Sequence, residues 1–162
     1  MWMSKTVICK DVDGKEYEVL VEQLQWRPTA YGIVVKDGKI LLSKQFGERF
    51  DLPGGGLDLG ELPEEGVIRE IKEETGIDTK NPKLISFINS FFYSDHAEKE
   101  SYQCLIFYYS CEFVGGELST DGFDEWEKQY AQMAEWIPLE RLDELGIASS
   151  VDCRPFVKKA LK

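Results

Sequence analysis

The stretch from Leu52 to Ile77, LPGGGLDLGELPEEGVIREIKEETGI, constrains this chain more than any other, because a glycine-rich loop runs directly into a helix whose two ends are both written in the residues. Pro63 suits a first helical turn, where its missing N–H costs nothing, and Glu64 and Glu65 complement the positive end of the helix dipole. Gly76 supplies the left-handed residue that stops the helix. At about 100° per residue, with Glu70 set at zero, Glu74 falls near +40° and Glu73 near −60°, while Val67, Ile68 and Ile71 spread over about +60° to +160°. The helix therefore has an apolar face, an acidic arc of Glu70, Glu73 and Glu74, and a third arc of Glu65, Arg69 and Lys72 with i,i+4 pairing between Glu65 and Arg69.

Most charged helix faces are simply wet. The acidic arc differs, because Glu70 faces Glu73 and Glu74 at helical contact spacing, and each like-charged pair costs roughly 0.2–0.5 kcal/mol unless something neutralises it. Gly66, next up that face, offers space rather than a counter-charge. Hard cations such as Mg²⁺ take carboxylate oxygens together with water and substrate phosphate. Gly54, Gly55 and Gly56 allow a carbonyl to turn toward the same ion and let a substrate approach the main chain.

Strands dominate the first half. Val7–Cys9 and Tyr17–Val21 flank Asp13-Gly14, and Tyr31–Val35 and Lys39–Ser43 flank Asp37-Gly38, so two hairpins are expected. Leu84–Tyr93 and Tyr102–Phe113 read as long strands rich in aromatic and β-branched residues. Beyond Pro63–Thr75, helical patterns occur around Phe123–Met133, at Pro138–Leu145 and at Asp152–Leu161. No repeat or linker divides the chain, which predicts one domain over 1–162 with helices packed outside a sheet.

Gly55, then Glu61 after five residues, then Arg69-Glu70-Ile71-Lys72-Glu73-Glu74-Thr75-Gly76-Ile77 after seven more, resembles the complete signature of the Nudix (MutT-like) hydrolases. Leu52-Pro53 and Trp136-Ile137-Pro138-Leu139 resemble the family as well. The resemblance implies an α/β fold, an α/β/α sandwich with a mixed sheet, here with an added N-terminal hairpin. It also implies hydrolysis of a nucleoside diphosphate linked to another group, with Mg²⁺ or Mn²⁺ as cofactor. On the same basis Glu70, Glu73, Glu74 and the Gly54 carbonyl would hold metal, and Arg69 would orient the glutamates. In the family the catalytic base is either a signature glutamate, such as Glu73 or Glu74, or an acid on a later loop. Here Asp121, Asp124, Glu125 and Glu127 fill such a stretch, with Glu125 and Glu127 jointly favoured.

Lys44 and Arg49, just before the glycine loop, are candidates for substrate phosphate. Tyr93 and Phe92 are candidates for the pocket border, and Tyr31, Phe50 and Trp126 are further surfaces on which a base can stack. His96, the only histidine, lies in a polar stretch and is read as a loop residue ahead of a catalytic one.

A formal net charge of −11 argues against DNA or an anionic membrane as partner and makes RNA a poor one, whereas a small metal-chelated nucleotide remains compatible. The longest apolar run, Cys104 to Tyr109, is too short to span a bilayer. The first residues lack the apolar core of a signal peptide, so a cytoplasmic location is expected. Cys9, Cys104, Cys111 and Cys153 are widely spaced and read as buried thiols rather than a zinc site or disulfide framework. The N-terminal hairpin is a candidate contact for a homodimer. The competing readings are a non-catalytic nucleotide-binding or regulatory module on the same fold, and an RNA-decapping enzyme of the same family.

Overall fold

The computed structural model describes residues 5–95 and 99–162. His96 falls outside them. Ten strands form one mixed sheet in the order β10-β5-β4-β3-β8-β7-β1-β2, with β6 added on β3 and β9 on β4. The strands are β1 (Thr6–Lys10), β2 (Glu16–Leu20), β3 (Leu24–Lys36), β4 (Lys39–Gln45), β5 (Arg49–Asp51), β6 (Gly54–Gly56), β7 (Ile77–Tyr93), β8 (Ser101–Gly116), β9 (Ala131–Pro138) and β10 (Gly146–Ile147). Among the described residues two α-helices, α1 (Pro63–Thr75) and α2 (Arg154–Ala160), cover its opposite faces. That is the α/β/α sandwich expected.

Both hairpins form. β1 and β2 pair antiparallel from Thr6 opposite Leu20 to Lys10 opposite Glu16. Asp37 and Gly38 both take positive φ, 51° and 72°, between Lys36 and Lys39, the two-residue turn that matches strand twist. β3 organises the molecule: residues 24–34 run parallel to β8, and 29–31 pair with β6, which brings the glycine loop against the sheet.

The odd and even residues of β3 face different cores. Ala30 and Val34 pack with Val67, Ile71 and Ile77 beneath α1. Tyr31 and Ile33 pack with Ile106 and Tyr108 on the other face, where Phe156 of α2 stacks on Tyr108 at a centroid distance of 4.0 Å. Val67 and Ile71 are fully buried, each stabilising by roughly 1.5–3 kcal/mol. That burial fixes the rotation of α1. Gly76 ends the helix at φ 79°, its N–H donating to the Lys72 carbonyl.

One expected helix is absent. Of Phe123–Met133 only Glu127–Gln129 forms a 3₁₀ turn, and from Ala131 the chain becomes β9 against β4. The Asp124 carboxylate accepts the Trp126 and Glu127 N–H groups, which closes the turn locally. A short helix is marginal in water, and pairing β9 to the fully buried Ile40–Leu42 buries Ala134 and Ile137 instead. Pro138–Leu145 forms only a 3₁₀ helix at Leu139–Glu144, and the last expected helix is shortened to α2. Among the described residues no helix is long and apolar enough to cross a membrane.

Candidate functional site

A cleft of about 820 Å³ opens between α1, the 122–132 segment and the face of the sheet bearing Thr29, Tyr31, Ile106 and Tyr102. Its size falls within the usual range for small-molecule sites. Glu70, Glu73 and Glu74 line one end.

Arg69 organises that end. Its five N–H groups are all committed: Nε and Nη2 grip the two oxygens of Glu61 at 2.7 and 2.8 Å, Nη1 donates to Glu70 at 2.8 Å and to Glu73 at 3.1 Å, and Nη2 also donates to the Gly56 carbonyl at 3.1 Å. The guanidinium holds Glu61 at about 2, well below the ordinary carboxylate range. The expected partner Glu65 instead accepts the Leu62 N–H at the helix start. Nor is the space above Gly66 open: a Cβ there would meet Leu57 Cδ2 at 2.3 Å and Glu61 Oε2 at 3.0 Å. Glu61 and Leu57 occupy it, because Glu61 must reach Arg69.

Burial separates the three glutamates. Glu70 is buried, its carboxyl lying where a side chain on Gly55 would meet it at 2.9 Å, and desolvation outweighs Arg69 to push it up to about 7. Among the described residues no cation pairs with Glu74. The Ser43 hydroxyl donates to it at 2.6 Å and the Gly54 N–H at 3.3 Å, and burial raises it well above the ordinary range. Glu73 stays partly exposed.

An array of oxygen donors holding a half-buried carboxyl that has no cationic partner among the described residues fits a hard divalent ion. Among the described residues no three such side chains already stand as a closed metal cluster. Arg69 Nη1 bridges Glu70 and Glu73.

The later loop is held close to α1. A Cβ on Gly122 would stand 2.4 Å from the Glu73 carbonyl oxygen, so only glycine permits this approach. Glu127 lines the cleft, accepts the Asp124 N–H at 2.8 Å, and lies near enough to raise Glu70 and Glu74; its own carboxyl is raised, chiefly by burial. Glu125, the other expected candidate, points to solvent at 91% side-chain exposure and pairs with Lys128. The two acids favoured jointly from the sequence are thus separated.

Other expected contacts scatter. Lys44 lines the cleft, but its ammonium is held by Glu135 at 2.6 Å and Glu48 at 2.8 Å. Arg49 binds the Asp13 carboxylate and the Val12 and Ile147 carbonyls, tying the N-terminal hairpin to the body outside the cleft. Tyr93 stacks on Tyr17 at 3.9 Å, and Phe50 is core. Tyr31, Phe92 and Trp126 do line the cleft, Trp126 edge-on to Tyr130 at 6.4 Å.

Sequence reasoning missed Ser43, Asp51, Thr29 and Arg27, all of which line the cleft. Asp51 stands between buried Phe50 and Leu52, an alternation that marks a side chain aimed away from the core. Its carboxyl accepts the Leu52 N–H at 2.8 Å and the Ser149 hydroxyl, and burial pushes it up to about 7. Thr29 is 4% exposed, and its hydroxyl has no hydrogen-bond partner among the described residues, a situation that costs about 1–3 kcal/mol. Arg27 lies over the Tyr102 ring, 5.2 Å from its centroid, and Tyr102 stacks with Phe92.

Comparison with known proteins gives the family of the chain. A family model described as the NUDIX domain matches residues 26–153. An ADP-ribose pyrophosphatase of Methanocaldococcus jannaschii is 38% identical over 119 residues, covering 71% of this chain and 63% of that protein. An RNA pyrophosphohydrolase of Bartonella quintana is 31% identical over 114 residues, covering 64% of this chain and 65% of that one. The chain therefore spans under two thirds of either relative. A MutT protein from Bacillus halodurans superposes with a TM-score of 0.60 at 28% identity, covering 75% of this chain and 74% of that structure.

Proposed function

Because the chain belongs to the NUDIX domain family, we propose that its cleft hydrolyses the phosphoanhydride bond of a small compound in which a nucleoside diphosphate is linked to another group. The observation that carries this is Glu74: a half-buried carboxyl facing the cleft beside Glu70, Glu73 and Glu127, with only neutral donors on it among the described residues. Such a group calls for a cation arriving from outside the fold.

Glu70, Glu73, Glu74 and the Gly54 carbonyl would hold Mg²⁺ or Mn²⁺, which when bound supplies charge neutralisation for the diphosphate and acidifies water. Arg69 fixes Glu70 and Glu73 and keeps the glycine strand in place through the Gly56 carbonyl. Glu127, raised by burial and resting on the Asp124 N–H, removes a proton from the attacking water. Lys44 is assigned to hold the 122–135 segment through Glu135 rather than to bind phosphate.

Nucleoside diphosphates joined to a sugar rank first, then nucleoside triphosphates and dinucleoside polyphosphates. The 38% identity to an ADP-ribose pyrophosphatase and a cleft of about 820 Å³ support that order. A second reading, removal of phosphate from an RNA 5′ end, draws on the 31% identity to an RNA pyrophosphohydrolase. The net charge of −11 places it lower. In the same reading the chain acts as one domain over 1–162 in the cytoplasm, and β2, the edge strand of the sheet, is the surface for a homodimer.

The test is a panel of nucleotide derivatives incubated with the full chain and Mg²⁺, products separated by chromatography. Cleavage of the sugar-linked diphosphates that stops on chelation is the expected result. Nucleotide binding without any turnover would replace the enzyme with a binding module.

A further inference from the structure

The Arg69 guanidinium sets the orientation of Glu61, Glu70 and Glu73, each of which accepts from it. Glu74 is oriented by other means. The Ser43 hydroxyl donates to it at 2.6 Å and the Gly54 N–H at 3.3 Å, and both reach the same oxygen, Oε2. Oε1 accepts no hydrogen bond among the described residues, although Glu74 lines the cleft. One oxygen is fixed by the fold, and the other is left to whatever enters the cleft.

The two donors are unequal. At 2.6 Å the Ser43 contact has the length of a charge-assisted O–H···O⁻ bond, whereas the 3.3 Å from the Gly54 N–H exceeds the usual N–H···O range of roughly 2.7–3.2 Å. Ser43 is therefore the group that decides where the Glu74 carboxylate points. The sheet in turn places Ser43. It follows the fully buried Leu42 on β4 and belongs to the cleft wall. Leu42 pairs with Glu135 and Lys44 with Gln132, so Met133 and Ala134 of β9 stand against Ser43 alone. A β-bulge of this kind interrupts regular pairing and re-aims a side chain.

We propose that Ser43 is a positioning residue that turns the free oxygen of Glu74 toward the cleft for a divalent cation. The inference rests on the reading of Glu74 as a metal ligand, and adds a residue outside the signature segment on which that ligation depends. In this assignment Ser43 acts only through Glu74 and touches neither the cation nor the substrate. A group that orients a ligating carboxylate typically changes metal affinity by about 10–100-fold when it is removed.

The test is a titration of Mn²⁺ into the full chain without nucleotide, the free ion being read by electron paramagnetic resonance. Ser43→Ala is expected to bind Mn²⁺ about tenfold or more less tightly than wild type. Ser43→Thr, which keeps the hydroxyl on a residue suited to a strand, should stay within about threefold. Melting curves in chelator establish that each variant is folded, and Ser43→Cys, whose thiol is only a weak donor, gives the same comparison where Ser43→Ala does not fold. Wild-type Mn²⁺ affinity in the folded Ser43→Ala protein, with or without a shift in melting, makes the contact a plain structural hydrogen bond and overturns the assignment. An equal loss in Ser43→Thr overturns it too. Absence of Mn²⁺ binding by wild type removes the metal reading of Glu74 and this assignment with it, whereas tight binding by wild type that Ser43→Ala leaves unchanged removes this assignment alone.

Discussion

Glu61, gripped by the cleft residue Arg69, and Asp51, in the cleft wall, are carboxyls that the fold drives in opposite directions. Glu61 meets both arms of the Arg69 guanidinium and is held at about 2, whereas Asp51 meets only a backbone N–H and a serine hydroxyl and is pushed up to about 7. Side-chain chemistry is nearly the same; the presence of a cation decides the sign. The α1 end is thus a neutralised acid cluster with one member, Glu74, left over, and the β5 wall holds a desolvated acceptor.

The largest effect that can break this division comes from the leftover acid. Glu74→Gln or Glu73→Gln is expected to lower kcat by about 10²-fold or more; in chelator Glu74→Gln should be no less stable than wild type at neutral pH, since among the described residues it has no cationic partner to lose, whereas Glu73→Gln also gives up its ion pair with Arg69. Wild-type rates in both variants would move the chemistry away from α1.

On the later loop, Glu127→Gln should lower kcat at least about tenfold with KM nearly unchanged, and Glu125→Gln should stay within about twofold. Equal effects in steady-state assays across pH 6 to 9 would mean that exposure does not distinguish the two acids.

Arg69→Lys sharpens the comparison further, because one ammonium cannot replace five directed N–H groups. A loss of about 1–3 kcal/mol in denaturant unfolding is expected, with a fall in kcat as Glu70 and Glu73 come apart. A silent substitution would show that the guanidinium is not what gathers the acids.

The smallest effects are in the pH dependence of stability. Glu61 sits at about 2 against an ordinary 4.5, so its contribution is present above about 4.5 and lost as pH falls toward 2; Glu61→Gln should flatten that acid limb. Asp51 has the opposite sign. With its folded value near 7 and an ordinary 3.8, it holds its proton better when folded, so stability falls as pH rises between those values. Asp51→Asn should remove that fall and exceed wild type by about 1–2 kcal/mol at pH 8 in urea titrations. Parallel curves for the variant and wild type would refute the buried-carboxyl account.

Much of the acidic end was legible in the residues because it is local. A 13-residue helix places Glu70, Glu73 and Glu74 by periodicity alone, and Pro63 and Gly76 mark its ends. The two Asp-Gly hairpins were legible for the same reason: turn chemistry acts over four residues. The partner of Arg69 was misassigned because Glu65, at i−4, looked sufficient, whereas Glu61 reaches the guanidinium only when the loop folds back over Gly66. The segment after Phe123 was misread because its Glu, Lys, Gln, Ala and Met residues favour a helix locally, whereas β4 offered a buried partner 86 or more positions away in sequence at every pair.

The sequence by itself determined the family signature, the acid-bearing helix and its glycine loop, since each depends on neighbours within a few residues. Tertiary structure alone decided which acids meet a cation, that Glu127 rather than Glu125 turns inward, and that Ser43 meets Glu74. Those outcomes depend on desolvation and on contacts between strands far apart in the chain, and neither quantity exists until the sheet has closed.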